Sequence, residues 1–232
     1  MTEMKTQRIS VIIPALDAAA GIAAALDAVS VSALVGECIV VDGGSADGTV
    51  DIARTAGARV ITAARGRGAQ LAAGARVARE DWLLFLHADT VLARGWAQEA
   101  ERFIADPASQ ARAAAFRFML DETRCRGRLL EIGVAVRSRL FALPYGDQGL
   151  LIGRDFHDRL GGFAALPLYE DVDIVRRIGR NRLSLLHTPA VTSAARYRRD
   201  GYLLRPLRNL CLLALYFAGV APGRLMHLYG RS

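Results

Sequence analysis

Apolar runs and stretches of helical spacing alternate along the first ninety residues. The segment RISVIIP is a short β-branched run ended by Pro14, the pattern of a strand buried on both faces of a parallel sheet. Residues 18–30 are alanine-rich and predict a helix, and ECIVVDGG predicts a second strand running out into glycines. ADGTVDIARTAG then reads as a helix, with Asp47 as its N-cap and Gly57 as its stop. ARVITA predicts a third strand, residues 66–79 a third helix and WLLFLHAD a fourth strand. Strand, helix, strand in repetition predicts an α/β chain with a mainly parallel, doubly wound sheet flanked by helices. Ligands on such sheets bind beyond the carboxyl ends of the strands, which directs attention to the loops after Ile13, Val41, Ile61 and Leu86.

Farther along the pattern loosens. Residues 93–104 predict a helix, with Asp89 in reach as a cap for one starting near Leu92. AAAFRFML predicts a strand, 125–141 an amphipathic helix and QGLLIG a short strand. A helix start near Asp155, a Gly161–Gly162 turn and a helix in EDVDIVRRIGR follow. There is no repeat and no long linker, so a body over 1–200 and a C-terminal helical extension over 201–232 are expected. Within that extension, 11 residues from Leu210 to Val220 carry no charge. That is short of the roughly 20 apolar residues a spanning helix needs. A helix packed on the sheet, an interfacial helix rimmed by Arg205, Arg208 and Arg224, and a dimer contact all remain open.

With 232 residues, 52% hydrophobic, the chain has enough apolar side chains for a core, which excludes disorder as the dominant state. Cys38, Cys125 and Cys211 form no CxxC pair, so they read as three buried thiols in a reducing cytosol. The polar start MTEMKTQRIS runs straight into a strand, and no cleavable leader is expected. The net charge of +7 is unevenly placed. Residues 174–232 hold 11 arginines and one acid, whereas residues 1–173 hold 19 basic and 22 acidic side chains. The basic end suggests an anionic ligand or a membrane surface. A nucleic-acid partner is not expected, because no recognised module is present and the arginines are not interleaved with aromatics.

Several segments could carry chemistry. VVDGGSADGT places Asp42 at the tip of the second strand, where a carboxylate can accept from a base or a ribose hydroxyl; a turn plus a cap explains it equally. Its spacing is not the dinucleotide fingerprint, and no GxxxxGK[ST] motif occurs. LLFLHADT delivers His87 and Asp89, two apart on an extended segment and so facing the same way. A hard divalent ion on a diphosphate takes oxygen ligands such as Asp89, though capping alone also accounts for that residue. Glu170, Asp171 and Asp173 crowd one helix start, where the macrodipole favours acids, and where a carboxylate among acids can serve as a general base. ARGRGAQLAAG offers Arg65, Arg67 and Gln70 to phosphates or a base edge, or is a plain loop and cap; YGDQGL offers Asp147 and Gln148 at what its glycines mark as a β-turn; TSAARYRRDG offers Arg196, Arg198 and Arg199 as a solvated basic face or as a clamp for a departing diphosphate.

Taken in order, SVIIPALD, VVDGGSADGT, RGRGAQLAAG, LLFLHAD and EDVD resemble the family 2 glycosyltransferases of the GT-A fold, over nearly all of residues 8–180. GRGAQ, YGDQGL and TSA…R are most similar to the small stand-alone group found beside radical-SAM and selenodomain genes, some of it assigned to arsenosugar biosynthesis. The resemblance implies an inverting, metal-dependent transfer of a sugar from a nucleotide-diphosphate donor to an unidentified acceptor hydroxyl, in the cytoplasm or on the inner face of the membrane. Pro14, Ala15, Asp17 and Asp42 would line the nucleoside, with Arg67, Gln70 and His87 nearby. Asp89 would hold Mg²⁺ or Mn²⁺, Asp171 with Glu170 beside it would be the base, and Asp147, Gln148 and Arg196 would face the acceptor or the leaving group. Two positions depart from the family pattern. His87 replaces the first Asp of Asp-x-Asp, and Asp17-Ala18 replaces the usual Asn-Glu. A half-built metal site is also what a non-catalytic sugar-nucleotide-binding protein of the same fold would show, and that alternative stays open at this point.

Overall fold

A computed structural model describes residues 7–122, 124–141, 144, 146–202 and 204–229; parts of the polar start and of the C-terminal extension lie outside the described residues. The strands are β1 (Ile9–Ala15), β2 (Val35–Asp42), β3 (Arg59–Thr62), β4 (Trp82–Phe85), β5 (Thr90–Leu92), β6 (Ala113–Leu120), β7 (Leu150–Gly153) and β8 (Leu183–Thr192). They form one sheet in the order β3-β2-β1-β4-β7-β6-β8-β5. The helices are α1 (Ile22–Ser30), α2 (Thr49–Thr55), α3 (Arg67–Val77), α4 (Trp96–Ala105) and α5 (Cys125–Phe141). After them come α6 (Arg154–Arg159), α7 (Glu170–Ile178), α8 (Ala195–Asp200), α9 (Leu204–Phe217) and α10 (Pro222–Tyr229).

The first half follows from the alternating pattern. β1 is central, parallel to β2 and β4, and every one of its residues is buried. Val11 and Ile13 face one layer, with Ile22, Leu26 and Trp96 of α1 and α4. Ile12 faces the other, with Leu71 of α3 and Ile174 of α7. Burial on both faces is why the strand reads as an unbroken apolar run. Pro14 is tolerated in this central strand because the β1–β4 register ends at Ile12↔Phe85. Its missing N–H therefore falls where β4 has already stopped.

The second half is mixed. β7 runs antiparallel to both β4 and β6, β8 is parallel to β6, and β5 closes the edge antiparallel to β8. β5 occupies residues expected to open a helix; the helix starts at Trp96 instead. The cysteine expectation is corrected too. Cys125 and Cys211 lie exposed on α5 and α9, and Cys38 is only half-buried, packed at the margin of the core layer beside β2. α9 and α10 pack through Leu212 and Leu225 against Leu168. Among the described residues no helix is long and apolar enough to cross a membrane.

α3 approaches the sheet closely because Gly74 lies over β1 and β2. A Cβ there would come within 2.4 Å of Ile12 Cγ2 and 3.0 Å of Val41 Cγ2. Gly74→Val is expected to destabilise the protein by about 1–3 kcal/mol through overpacking. Thermal denaturation measures it, and an unchanged midpoint would show that α3 does not rest on the sheet as described.

Candidate active site

The tips of β1 and β2 are stitched together at the carboxyl end of the sheet. Asp17, at a left-handed φ of 48°, accepts from Ala46 N–H at 2.8 Å, while its own N–H donates to Ser45 Oγ at 3.0 Å. A non-glycine residue held there is strained backbone of the kind that clusters at ligand sites. Asp47 accepts from Ala19 N–H and Thr49 N–H, so it braces the start of α2 although Gly48 is the capping residue. The Asp42 carboxylate accepts from Gly44 N–H, Ser45 N–H and Ser45 Oγ, which shapes its own loop. Gln70, expected near the nucleoside, is buried, and its Nε2 donates to both Ala15 O and Val41 O at 2.8 Å. With both N–H bonds committed to the strands, Gln70 holds the tips of β1 and β2 together and has no donor to offer a base. Pro14 and Ala15 are buried strand residues, and the Ala15 carbonyl also accepts from Gly43 N–H at 2.9 Å.

A second cluster gathers around the turn Gly146–Gln148. Asp171, in the first turn of α7, accepts from Gly146 N–H at 2.9 Å and from Val172 N–H at 2.8 Å. Thr192 Oγ1 donates to Asp147 O at 3.2 Å and shares a hydrogen bond with Thr90 Oγ1, which ties β5 and β8 to the same turn. Gly146 packs on the His87 ring so closely that a Cβ would lie 2.5 Å from Nε2. His87 Nε2 is 3.3 Å from Arg67 Nη1. Burial, then Arg67 and Arg196, hold the imidazole well below its usual pKa, so it is neutral at pH 7 and accepts from Arg67.

Two of the expected residues are held by bonds within the protein. Gln148 is buried: its Oε1 accepts from Ser138 Oγ and its Nε2 donates to Phe116 O, both at 2.9 Å, so it joins α5 to β6. Glu170 is buried as well, and its Oε2 has no hydrogen-bond partner among the described residues. It is 1% exposed and pairs with Arg67 Nε at 2.9 Å. Burial pushes its carboxyl up, Arg67 pulls it back, and Asp171 beside it pushes up again. Asp89 pairs with Arg196 Nη2 at 3.1 Å.

These groups adjoin a cleft of about 1530 Å³ between α5, α7, α8 and α9. Arg67, His87, Asp147 and Asp171 line its floor. Asp42 and Asp89 do not line it: Asp42 belongs to the strand-tip side, and Asp89 lies close enough to Asp147 to raise its pKa. Asp147 is the most perturbed acid of the floor. Its Oδ1 is buried with no hydrogen-bond partner among the described residues. Burial pushes its carboxyl up to about 6, against Arg137 and with Asp171 and Asp89 adding to the push. Arg137 and Tyr169 also line the cleft and were not singled out in the sequence. Tyr169 has a left-handed φ of 66° and stacks on Tyr216, a long-range contact with no local signal.

A hard cation such as Mg²⁺ or Mn²⁺ takes oxygen ligands. Asp89 and the orphaned Asp147 oxygen are of that type, so the residues present suit such an ion. Among the described residues no three acidic, His or Cys side chains converge into a protein-only metal cage.

Residues 10–167 match the family model for glycosyl transferase family 2. The fold is shared with glucosyl-3-phosphoglycerate synthase from Mycobacterium tuberculosis, solved with Mn²⁺, UDP and glucosyl-3-phosphoglycerate. The two are 24% identical with a TM-score of 0.56, over 79% of this chain and 70% of that one. The same enzyme with Mg²⁺ and UDP matches at 23% identity and a TM-score of 0.54, over 79% and 70% of the two chains. TarS from S. aureus matches at 16% identity and a TM-score of 0.64, and the 81% of this chain that aligns spans only 61% of TarS. No curated protein sequence is significantly similar.

The Asp147 carboxyl gives a pH signature in metal-free protein. Its pKa is higher folded than unfolded, so between about pH 4 and 6 the folded state binds more protons and stability falls as pH rises. Asp147→Asn removes that fall. Thermal midpoints in EDTA across this window are expected to decline less in the variant than in the parent; parallel curves would contradict the buried carboxyl.

Proposed function

The chain belongs to glycosyltransferase family 2, and from that premise we propose that it moves a sugar from a nucleoside-diphosphate donor to an acceptor hydroxyl with inversion at the anomeric carbon. The observation that carries the reading is the cleft floor, where an acid positioned by two backbone N–H groups faces the same hollow as a buried-paired arginine. Asp171 is the general base. As the acceptor oxygen bonds to the anomeric carbon, the bond from that carbon to the donor phosphate breaks. The electron pair leaves with the nucleoside diphosphate, and the acceptor proton passes to Asp171.

The remaining groups bind and orient. Strand-tip backbone at Pro14, Ala15 and Asp17, in the loop shaped by Asp42, forms the nucleoside wall. Gln70 holds the two strand ends in register beneath it. Glu170 is a positioning residue that aims Arg67 at the departing phosphate, where a fixed cation stabilises the charge that develops. Neutral His87 accepts from Arg67 and adds no charge of its own. Arg196, paired with Asp89, is the second cation on the leaving-group side. Asp89 would hold Mg²⁺ or Mn²⁺, and that ion supplies neutralisation of the diphosphate.

The solved relatives that bind UDP with Mn²⁺ or Mg²⁺ support a uridine donor. The segments GRGAQ, YGDQGL and TSA…R support a place in the small radical-SAM-associated group of the family. The basic segment after residue 200 supports peripheral contact with the inner face of a membrane.

UDP with Mn²⁺ is expected to raise the thermal midpoint of the parent, and of Asp171→Asn by the same amount. Asp171→Asn is expected to lower turnover at least about a hundredfold, the scale of general-base loss. Full activity in that variant removes Asp171 from the chemistry. Asp89→Ala is expected to abolish the part of the UDP shift that depends on Mn²⁺, and an unchanged Mn²⁺ dependence would move the metal elsewhere.

A further inference from the structure

The walls of the cleft differ in kind from its floor. Leu129 and Val134 of α5 and Leu210, Leu213 and Phe217 of α9 line it, so a narrow charged end opens into an apolar trough. Its volume of about 1530 Å³ exceeds the roughly 300–1,000 Å³ usual for small-molecule sites. The apolar character continues outward past the rim. On α5, Leu129, Ile132 and Val136 share one helical face and are 70%, 59% and 48% exposed. On α9, Leu204, Leu207 and Leu210 recur every third residue at 73%, 59% and 61% exposure. Contiguous exposed apolar side chains that run into a site mark where an apolar partner enters.

Charge selects the partner. Arg126, Arg137, Arg198 and Arg205 line the same trough, against Asp147 and Asp171 as its acids. Tyrosine rings support two of these guanidinium groups, with Arg126 4.5 Å over Tyr202 and Arg205 5.5 Å over Tyr197. Arg199 of α8 and Arg224 of α10 are exposed, and Arg208 of α9 is half-exposed. A neutral sugar or a small water-soluble acid would leave the apolar walls bare, whereas an anionic lipid satisfies both parts of the trough.

We propose that the acceptor is an anionic phospholipid carrying a free hydroxyl in its head group, taken from a lipid surface through the opening between α5 and α9. The inference rests on the glycosyl-transfer reading. The apolar chain lies along the α5 and α9 walls, the phosphodiester meets the trough arginines, and the head-group hydroxyl reaches Asp147 and Asp171. There its oxygen bonds to the anomeric carbon and its proton goes to Asp171, as above. The exposed leucines of α5 and α9 enter the interface, and the arginines behind them meet anionic head groups.

Three vesicle types separate the parts: phosphatidylglycerol, anionic with head-group hydroxyls; phosphatidylserine, anionic without one; and phosphatidylcholine, with neither. Flotation is expected to carry the full chain with the first two and not with the third. Leu129→Glu and Leu210→Glu, both at solvent-exposed positions, are expected to keep the parent circular dichroism and the UDP–Mn²⁺ thermal shift. Each is expected to weaken flotation about tenfold, the scale of losing one buried leucine. With labelled nucleotide sugars that raise the thermal midpoint, label is expected in the organic extract from phosphatidylglycerol alone. Failure to float on either anionic vesicle overturns the inference whether or not UDP binds. Label reaching water-soluble acceptors but not lipid also overturns it and leaves glycosyl transfer standing. Absence of any nucleotide shift alongside normal flotation counts against the donor reading, and lipid capture in the trough stands.

Discussion

The turn at Gly146–Gln148 is the buried junction on which the site depends. Its three residues are held from four directions: Asp171 takes the Gly146 N–H, the His87 ring rests against Gly146, Thr192 donates to the Asp147 carbonyl, and Gln148 bonds Ser138 and the Phe116 carbonyl. Buried polar groups must be satisfied, so each of these bonds also fixes the segment at its other end. α7, the loop after β4, β6, β8 and α5 therefore converge on one point. One oxygen of the turn, Asp147 Oδ1, is buried with no hydrogen-bond partner among the described residues.

The charges around that junction are arranged in pairs. Arg67 is shared between Glu170 and His87, and Arg196 is held by Asp89. Such pairing holds the half-exposed guanidinium groups in place near the cleft and gives the buried Glu170 carboxylate a partner. The histidine at the first position of the usual Asp-x-Asp fits this logic. Burial and two arginines hold its pKa well down, and the neutral ring accepts from Arg67.

The C-terminal helices give the cleft its second character. α9 and α10 bury Leu212 and Leu225 against Leu168, yet expose leucines on the other face. A helix that packs on one side and shows apolar side chains on the other is half-covered, and basic residues surround the uncovered part. α9 and α10 thus pack on the body, one of the alternatives open for this segment, and leave apolar side chains exposed on the other face.

The parallel half of the sheet was legible in the sequence because burial on both faces writes an unbroken apolar run, and glycines mark the loops at the strand tips. Asp42, His87, Asp89 and Asp171 could be singled out for the same reason: each stands at the end of a strand or the start of a helix, where local spacing places it. What those side chains bond to was not legible. Gln70 and Gln148 look like ligand-facing amides until the strands and helices that claim them are in place, and Glu170 looks like a second base until Arg67 arrives from more than a hundred residues away. β5 is three residues long, and β8 carries Pro189 and half-exposed positions, so neither writes a period. The strand directions of the second half, the shared junction at Gly146–Gln148 and the apolar trough between α5 and α9 arise from contacts between distant segments. Tertiary packing alone decides those, because hydrogen bonds and buried charge are settled by what lies across a gap in space and local composition carries no record of it.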